Sequence, residues 1–168
     1  MTVKEYNICV DEYSDGVYRF IKKNLKDDDT SKDIVQDTFI KLWEKHDTVS
    51  FEKAKSYIFT SVYHTMIDYI RKNLKIQSYD NAELSSYFDT LGEFTSPREN
   101  FDLKKIINEA VDRMPEKQKN ALLLRDYEGY SYEEIGEITG LNESQVKVYI
   151  YRGRLMLKNY VKSLDLVM

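Results

Sequence analysis

Apolar positions along this chain recur at intervals of three and four residues, and no stretch shows the sustained period of two that marks a half-buried strand. Val17, Phe20, Ile21 and Leu25 make a first apolar face, and Ile34, Val35, Thr38, Phe39, Leu42 and Trp43 make a second. The polar run Asp27–Ser31 separates them as a turn, with Thr30 or Ser31 as the expected cap of the second helix. A third helix is predicted from about Lys53 to Leu74, with Tyr57, Ile58, Val62, Met66, Ile67 and Ile70 on its buried side. Periodicity fails from Ser78 to Pro97, where Ser, Asp, Glu and Thr predominate and a linker is expected. It resumes near Asn100 with Leu103, Ile106, Ile107, Ala110 and Val111, breaks at Met114–Pro115, and runs again from Glu116 to Tyr127. The expectation is an all-α protein: a small helical domain at 1–76, an acidic flexible linker at 77–102, and a second helical domain at 103–168.

The segment Ser131–Lys158 reads as helix, tight turn and basic helix. Ser131 can cap a free backbone N–H while Glu134, three residues on, caps back, and Ile135 and Ile138 supply the buried stripe. Gly140 stands where the helix must stop in a left-handed conformation. Asn142 and Gln145 repeat the capping pattern, and Val146, Ile150 and Leu157 face inward. Gln145, Lys147, Tyr149, Arg152 and Arg154 are left mostly outward, which is the arrangement of a helix-turn-helix whose second helix enters a DNA major groove.

A net charge of −4 over 168 residues runs against a nucleic-acid partner only until its distribution is considered. From Ser144 to Leu164 every charged residue is basic, whereas Ser78 to Asp102 carries six acids against Arg98 alone. Phosphates respond to the field within about 8 to 10 Å at physiological salt, so overall acidity does not forbid a basic face. The single cysteine, Cys9, can form no internal disulfide, and with only His46 and His64 it can build no zinc site. No cofactor is expected. The longest apolar runs fall far short of the roughly 20 residues that span a membrane, and acids stand near the N-terminus where a signal peptide would carry a basic flank. A cytoplasmic protein with no membrane insertion is expected.

The blocks DIVQDTFIKLW at Asp33–Trp43, YIFTSVYHTMIDYIRK at Tyr57–Lys72, and the sequence from Arg113 to Arg154 that begins RMPEKQKNALLLRDYEGYSYEEIGEITGL resemble the extracytoplasmic-function group of bacterial sigma factors, within the sigma-70 family. The resemblance covers nearly the whole chain. It implies a subunit that binds core RNA polymerase, directs it to promoter DNA and helps open the duplex, with no catalysis of its own. It also implies an anti-sigma partner, and docking on the coiled coil of the polymerase largest subunit and on the polymerase flap.

By that resemblance, Asp33, Gln36, Asp37 and Lys41 are the polymerase contacts; Trp43, the one tryptophan, is expected in the core on its own chemistry. The −10 element falls to the third helix and the loop before it, through His46, Lys53, Lys55, Tyr57, Tyr63, His64, Arg71 and Lys72. Basic side chains follow a backbone and aromatics stack on unpaired bases, although a chain with 14 tyrosines must also pack several in its core. Thr60 and Tyr63 stand where many members carry arginine. The −35 element falls to Ser131, Tyr132, Asn142, Glu143, Ser144, Gln145, Lys147, Val148, Tyr149, Arg152, Arg154 and Lys158, with Gln145 suited to adenine, Lys147 to guanine and Val148 to a thymine methyl. Arg152, Arg154 and Lys158 suit phosphates. Tyr149 replaces a frequent arginine. The alternative reading is a stand-alone helix-turn-helix regulator bound to operator DNA, which has no reason to carry DIVQDTFIKLW and the tyrosine-rich helix after it. A helical enzyme finds no support, since no phosphate-cradling glycine loop, HExxH or CxxC occurs.

Overall fold

A computed structural model describes residues 1–80 and 103–165, and every regular element in them is helical. Helix α1, Val3–Leu25, opens on a reciprocal cap: Thr2 Oγ1 accepts the Glu5 N–H at 3.2 Å and Glu5 Oε2 accepts the Thr2 N–H at 2.7 Å. It closes at Lys26, whose φ of 58° is left-handed. Helix α2, Asp28–Glu44, is capped by Asp27, which accepts the Thr30 N–H at 3.2 Å. The expected caps Thr30 and Ser31 are instead inside the helix, and Ser31 donates back to the Asp27 carbonyl at 2.5 Å. Helix α3, Phe51–Asp80, runs beyond the expected end near Leu74. No glycine or proline lies between Leu74 and Asp80 to stop it, so the first residues of the expected linker, 77–80, are helical. The remainder of that linker lies outside the described residues.

Four further helices follow: α4 (Leu103–Asp112), α5 (Glu116–Leu122), α6 (Tyr132–Thr139) and α7 (Glu143–Asp165). Pro115 sits just before α5, where its missing N–H costs no helical hydrogen bond. The predicted helix from Glu116 to Tyr127 changes winding at Leu123, where a π-helical turn, Leu123–Tyr127, completes it. Gly129, at φ 74°, then lets the chain reverse toward α6.

Cys9, Val17, Phe20, Ile21, Leu42, Ile58, Val62 and Met66 interlock α1, α2 and α3, while Val111, Leu122, Leu124, Ile135, Ile138, Val146 and Ile150 interlock the later helices. Truncating a residue such as Leu42 to alanine would cost about 2 to 5 kcal/mol. The two groups also touch, chiefly where α3 meets α6. Trp43 does not join either core. It is 40% exposed at the end of α2, with the Tyr6 ring edge-on at 5.0 Å and the His46 ring stacked at 4.7 Å, because the inward positions of α2 are already filled by Ile34, Thr38, Phe39 and Leu42.

Candidate nucleic-acid interface

The turn between α6 and α7 is built as its residues dictate. Ser131 Oγ accepts the Glu134 N–H at 3.1 Å and Glu134 Oε2 accepts the Ser131 N–H at 2.8 Å. Gly140, at φ 76°, donates its N–H to the Gly136 carbonyl at 2.9 Å and ends α6. A Cβ on Gly136 would lie 2.8 Å from the Leu141 carbonyl oxygen, so only glycine lets the chain fold back this closely. Asn142 Oδ1 then accepts the Gln145 N–H at 2.8 Å, and Gln145 Oε1 accepts the Asn142 N–H at 3.0 Å. Helix α7 is thereby fixed in direction from its first turn. Val146 and Ile150 are buried under it, and Gly153 is packed with its Cβ position 3.4 Å from Leu122.

On the opposite face, Glu143, Ser144, Gln145, Lys147, Val148, Arg152, Arg154 and Lys158 are exposed and Tyr149 is half-buried. Several of these side chains already have partners. Lys147 Nζ lies 3.0 Å from Glu143, and it shares the ring of Tyr132 with Arg125, at 5.6 Å and 4.6 Å from the centroid. Gln145 spends its carbonyl on the cap. Arg154 reaches Asp126 in the π-helical turn with Nε at 3.0 Å and Nη2 at 2.6 Å, and these hydrogen bonds push its pKa above the usual arginine value. Arg152 and Lys158, on either side of Arg154 along the helix, are exposed basic residues as well.

Helix α3 divides its expected DNA residues between two surroundings. Lys53, His64, Arg71 and Lys72 are exposed, and Tyr57 is half-buried with Lys45 Nζ 5.7 Å from its ring centroid. Tyr63 is only 6% exposed; burial, and next the charge of Glu116, raise its phenol pKa. Lys55 lies over the Tyr130 ring at 4.2 Å. His46, in the loop before α3, stacks on Trp43, and its Nδ1 is 2.6 Å from the Trp43 carbonyl oxygen. On α2, Asp33, Gln36, Asp37 and Lys41 are all exposed, at a spacing that sets them on one face beside the exposed Ile40.

The residues that sequence patterning missed are those that join the two halves. Tyr130 is 2% exposed and lies 4.8 Å from Phe59, ring to ring. Glu128 takes Arg19 Nη2 at 3.4 Å, Lys23 Nζ stands 3.3 Å from the Tyr127 centroid, Lys26 pairs with Asp112, and Ser56 donates to Glu137 at 3.4 Å. Burial raises the carboxyl pKa of Glu128 in spite of Arg19 and Lys23, and burial lowers the pKa of Lys23. A glycine at position 16, in the middle of an otherwise regular helical pattern, was the one available signal of a close approach.

No group of three or more His, Cys, Asp or Glu able to hold a metal occurs among the described residues, and no described helix is long and apolar enough to cross a membrane. The sigma-70 region 2 profile matches residues 9–76, and the sigma-70 region 4 profile matches residues 104–157. The RNA polymerase sigma factor SigV of Bacillus subtilis is 30% identical over 159 residues, covering 94% of this chain and 92% of that protein. The extracytoplasmic-function sigma factor SigM of the same organism is 26% identical over 87% of this chain and 88% of its own length. Among solved structures, sigma factor RpoE of Bartonella quintana, crystallised with the anti-sigma factor NepR, shares the fold at a TM-score of 0.74 and 22% identity, covering 95% of this chain and 98% of that one. Two sigma-70 regions in the expected order, on an all-helical frame shared with a solved sigma factor, make this chain a member of the sigma-70 family of RNA polymerase sigma factors, in its extracytoplasmic-function group.

Proposed function

We propose that this sigma factor grips a promoter at two points, with α7 on the −35 element and α3, together with the loop before it, on the −10 element, while the outer face of α2 docks on core polymerase. Directing polymerase to promoters for initiation is the function of the family to which the chain belongs. The observation that carries the two-point reading is the pair of exposed basic helix faces, Arg71 and Lys72 on α3 and Lys147, Arg152 and Lys158 on α7, joined by a chain whose net charge is negative. Cations gathered on two helices of an acidic protein suit a phosphate backbone approached twice.

Within α7, the capping box leaves the Gln145 carboxamide nitrogen for a base edge, and Val148 and Ser144 beside it fit a thymine methyl and a hydroxyl contact. Arg152 and Lys158 hold phosphates, whereas Arg154 braces the helix through Asp126. Ser131 and Tyr132 at the start of α6 approach the backbone. The work is binding and positioning rather than covalent chemistry, and it takes place in the cytoplasm, where the polymerase is. An anti-sigma protein is the expected inhibitor, by analogy with the RpoE–NepR pair. Replacing Arg71 and Lys72 together with alanine tests the α3 assignment: permanganate reactivity of unpaired thymines in the holoenzyme–promoter complex should fall severalfold, and unchanged reactivity would remove α3 from the opening step.

A further inference from the structure

Among the residues assigned to the −35 element, Glu143 alone carries negative charge. A lone carboxylate brought up to phosphates would weaken binding. Glu143 is not alone: Lys147, one turn further along α7, places Nζ 3.0 Å from Glu143 Oε1, and the two side chains are 55% (Lys147) and 61% (Glu143) exposed. The same ammonium lies 5.6 Å from the centroid of the Tyr132 ring, which Arg125 occupies more closely, at 4.6 Å, while Arg125 Nη1 donates to the Tyr130 carbonyl at 2.8 Å. Other polar groups around the start of α7 are committed, Asn142 Oδ1 and Gln145 Oε1 to the reciprocal cap and Arg154 to Asp126. The ion pair is left presenting one donor and one acceptor side by side, with no net charge. We propose that Glu143 and Lys147 read a single G·C base pair as one unit, the ammonium donating to guanine and the carboxylate accepting from cytosine, an inference that rests on the assignment of α7 to the −35 element.

The spacing of the pair matches that base edge. In the major groove G·C sets two acceptors, guanine N7 and O6, beside one donor, the cytosine N4 amino group. O6 and N4 are hydrogen-bonded to each other across the pair, so they lie about 3 Å apart, the separation already held between Glu143 Oε1 and Lys147 Nζ. An ammonium carries three donors and serves N7 and O6 together, whereas a carboxylate has none and takes only the amino group. A·T interposes the adenine N6 donor between N7 and O4 and adds the thymine methyl, so it offers no two adjacent acceptors. An exposed pair on neighbouring turns holds weakly in water, and spreading it over a matching edge therefore sacrifices little. A wrong base pair instead leaves the carboxylate facing an acceptor, which penalises that sequence. Neutrality also separates this contact from those of Arg152 and Lys158, because a pair without net charge releases no counterion from the phosphates.

The test uses the full chain assembled with core polymerase, on duplex promoter fragments in which each base pair of the upstream element is replaced in turn. At one position the unaltered chain should favour G·C about tenfold over the other pairs. Glu143→Met and Lys147→Met, both at exposed sites and both to a good helix former, should each remove that preference at the same position. The double variant should lose no more than either single one, and its salt slope should equal that of the unaltered chain. Glu143→Met alone should steepen the slope by about one unit, because it releases Lys147 to a phosphate. Preferences lost at two different positions would overturn the shared reading, as would the absence of any G·C preference that depends on Lys147. So would Glu143→Met strengthening every fragment equally with the preference intact, the behaviour of a solvated charge at the rim. Failure of the −35 assignment itself is separable: Arg152→Ala and Lys158→Ala would then leave affinity for every fragment unaltered, whereas they weaken all fragments alike if α7 is seated and only the pair is misassigned.

Discussion

Arg154 of α7 grips Asp126 of the π-helical turn with two parallel N–H donors, at 3.0 Å and 2.6 Å, and so ties the basic helix to the segment that packs behind it. A planar fork on a carboxylate fixes orientation in a way a lysine cannot. Arg154→Ala is therefore expected to lower the stability of the folded chain by about 1 kcal/mol, read from denaturant unfolding. Arg152, exposed and toward the middle of the same helix, should behave in the opposite sense: Arg152→Ala leaves stability unchanged, weakens binding uniformly across promoter sequences and reduces the salt slope of binding by about one unit. Equal effects of the two changes on the salt slope would return Arg154 to the phosphate contacts.

The reciprocal cap at the start of α7 sets the angle at which that helix leaves the turn. Asn142→Ala removes the acceptor of the Gln145 N–H, at 2.8 Å, and is expected to cost about 1 kcal/mol. Hydrogen exchange at the amides of residues 144–146 should accelerate while exchange in α1 to α3 does not. Unaltered exchange there would mean that the cap contributes nothing to α7.

Asp28, in the first turn of α2, is held well below its ordinary carboxyl value, at about 2, first by the hydrogen bond from Lys32 and then by that from Tyr18. A depressed pKa means that the folded state prefers the ionised form, so the contribution is complete above the unfolded value of 3.8 and is lost as pH falls through about 2. A carbon-detected NMR titration should place the Asp28 midpoint near 2, and Tyr18→Phe together with Lys32→Ala should return it toward 3.8. A midpoint already at the ordinary value in the unaltered chain would dismiss these contacts as supports of the α2 start.

The outer face of α2 carries Asp33, Gln36, Asp37 and Lys41, all exposed and none required by the core. Asp37→Arg should abolish association with core polymerase in a pull-down while the helical circular-dichroism signal is unchanged. Association at the original strength would remove this face from docking.

Much of this arrangement was legible in the sequence because its determinants are local. The stops and caps of α6 and α7 are written in Ser131, Glu134, Gly140, Asn142 and Gln145, and each makes the hydrogen bond that its spacing implies. Helix faces such as Val17, Phe20 and Ile21 were equally plain, since a period of 3.6 needs no knowledge of what lies opposite. The cap of α2 and the end of α3 were misread by a few residues, and two larger features were not legible at all. Trp43 reads as core by its chemistry, yet α2 has no inward position left for it. The meeting of α3 with α6 joins residues some seventy or eighty positions apart, as in Phe59 with Tyr130 and Ser56 with Glu137, and no local period encodes a pairing across that separation. The same contact takes up Lys55, which lies over the Tyr130 ring, although its charge alone presents it as free to meet DNA.

Reconstitution with cognate core polymerase on a library that randomises both promoter elements tests the two-point grip most directly. The account predicts transcripts only from templates in which one −10 and one −35 sequence are selected together at a fixed spacing, with substitutions at Ser144 and Val148 shifting the upstream preference alone. Selection of a single element, or transcription indifferent to both, would contradict it.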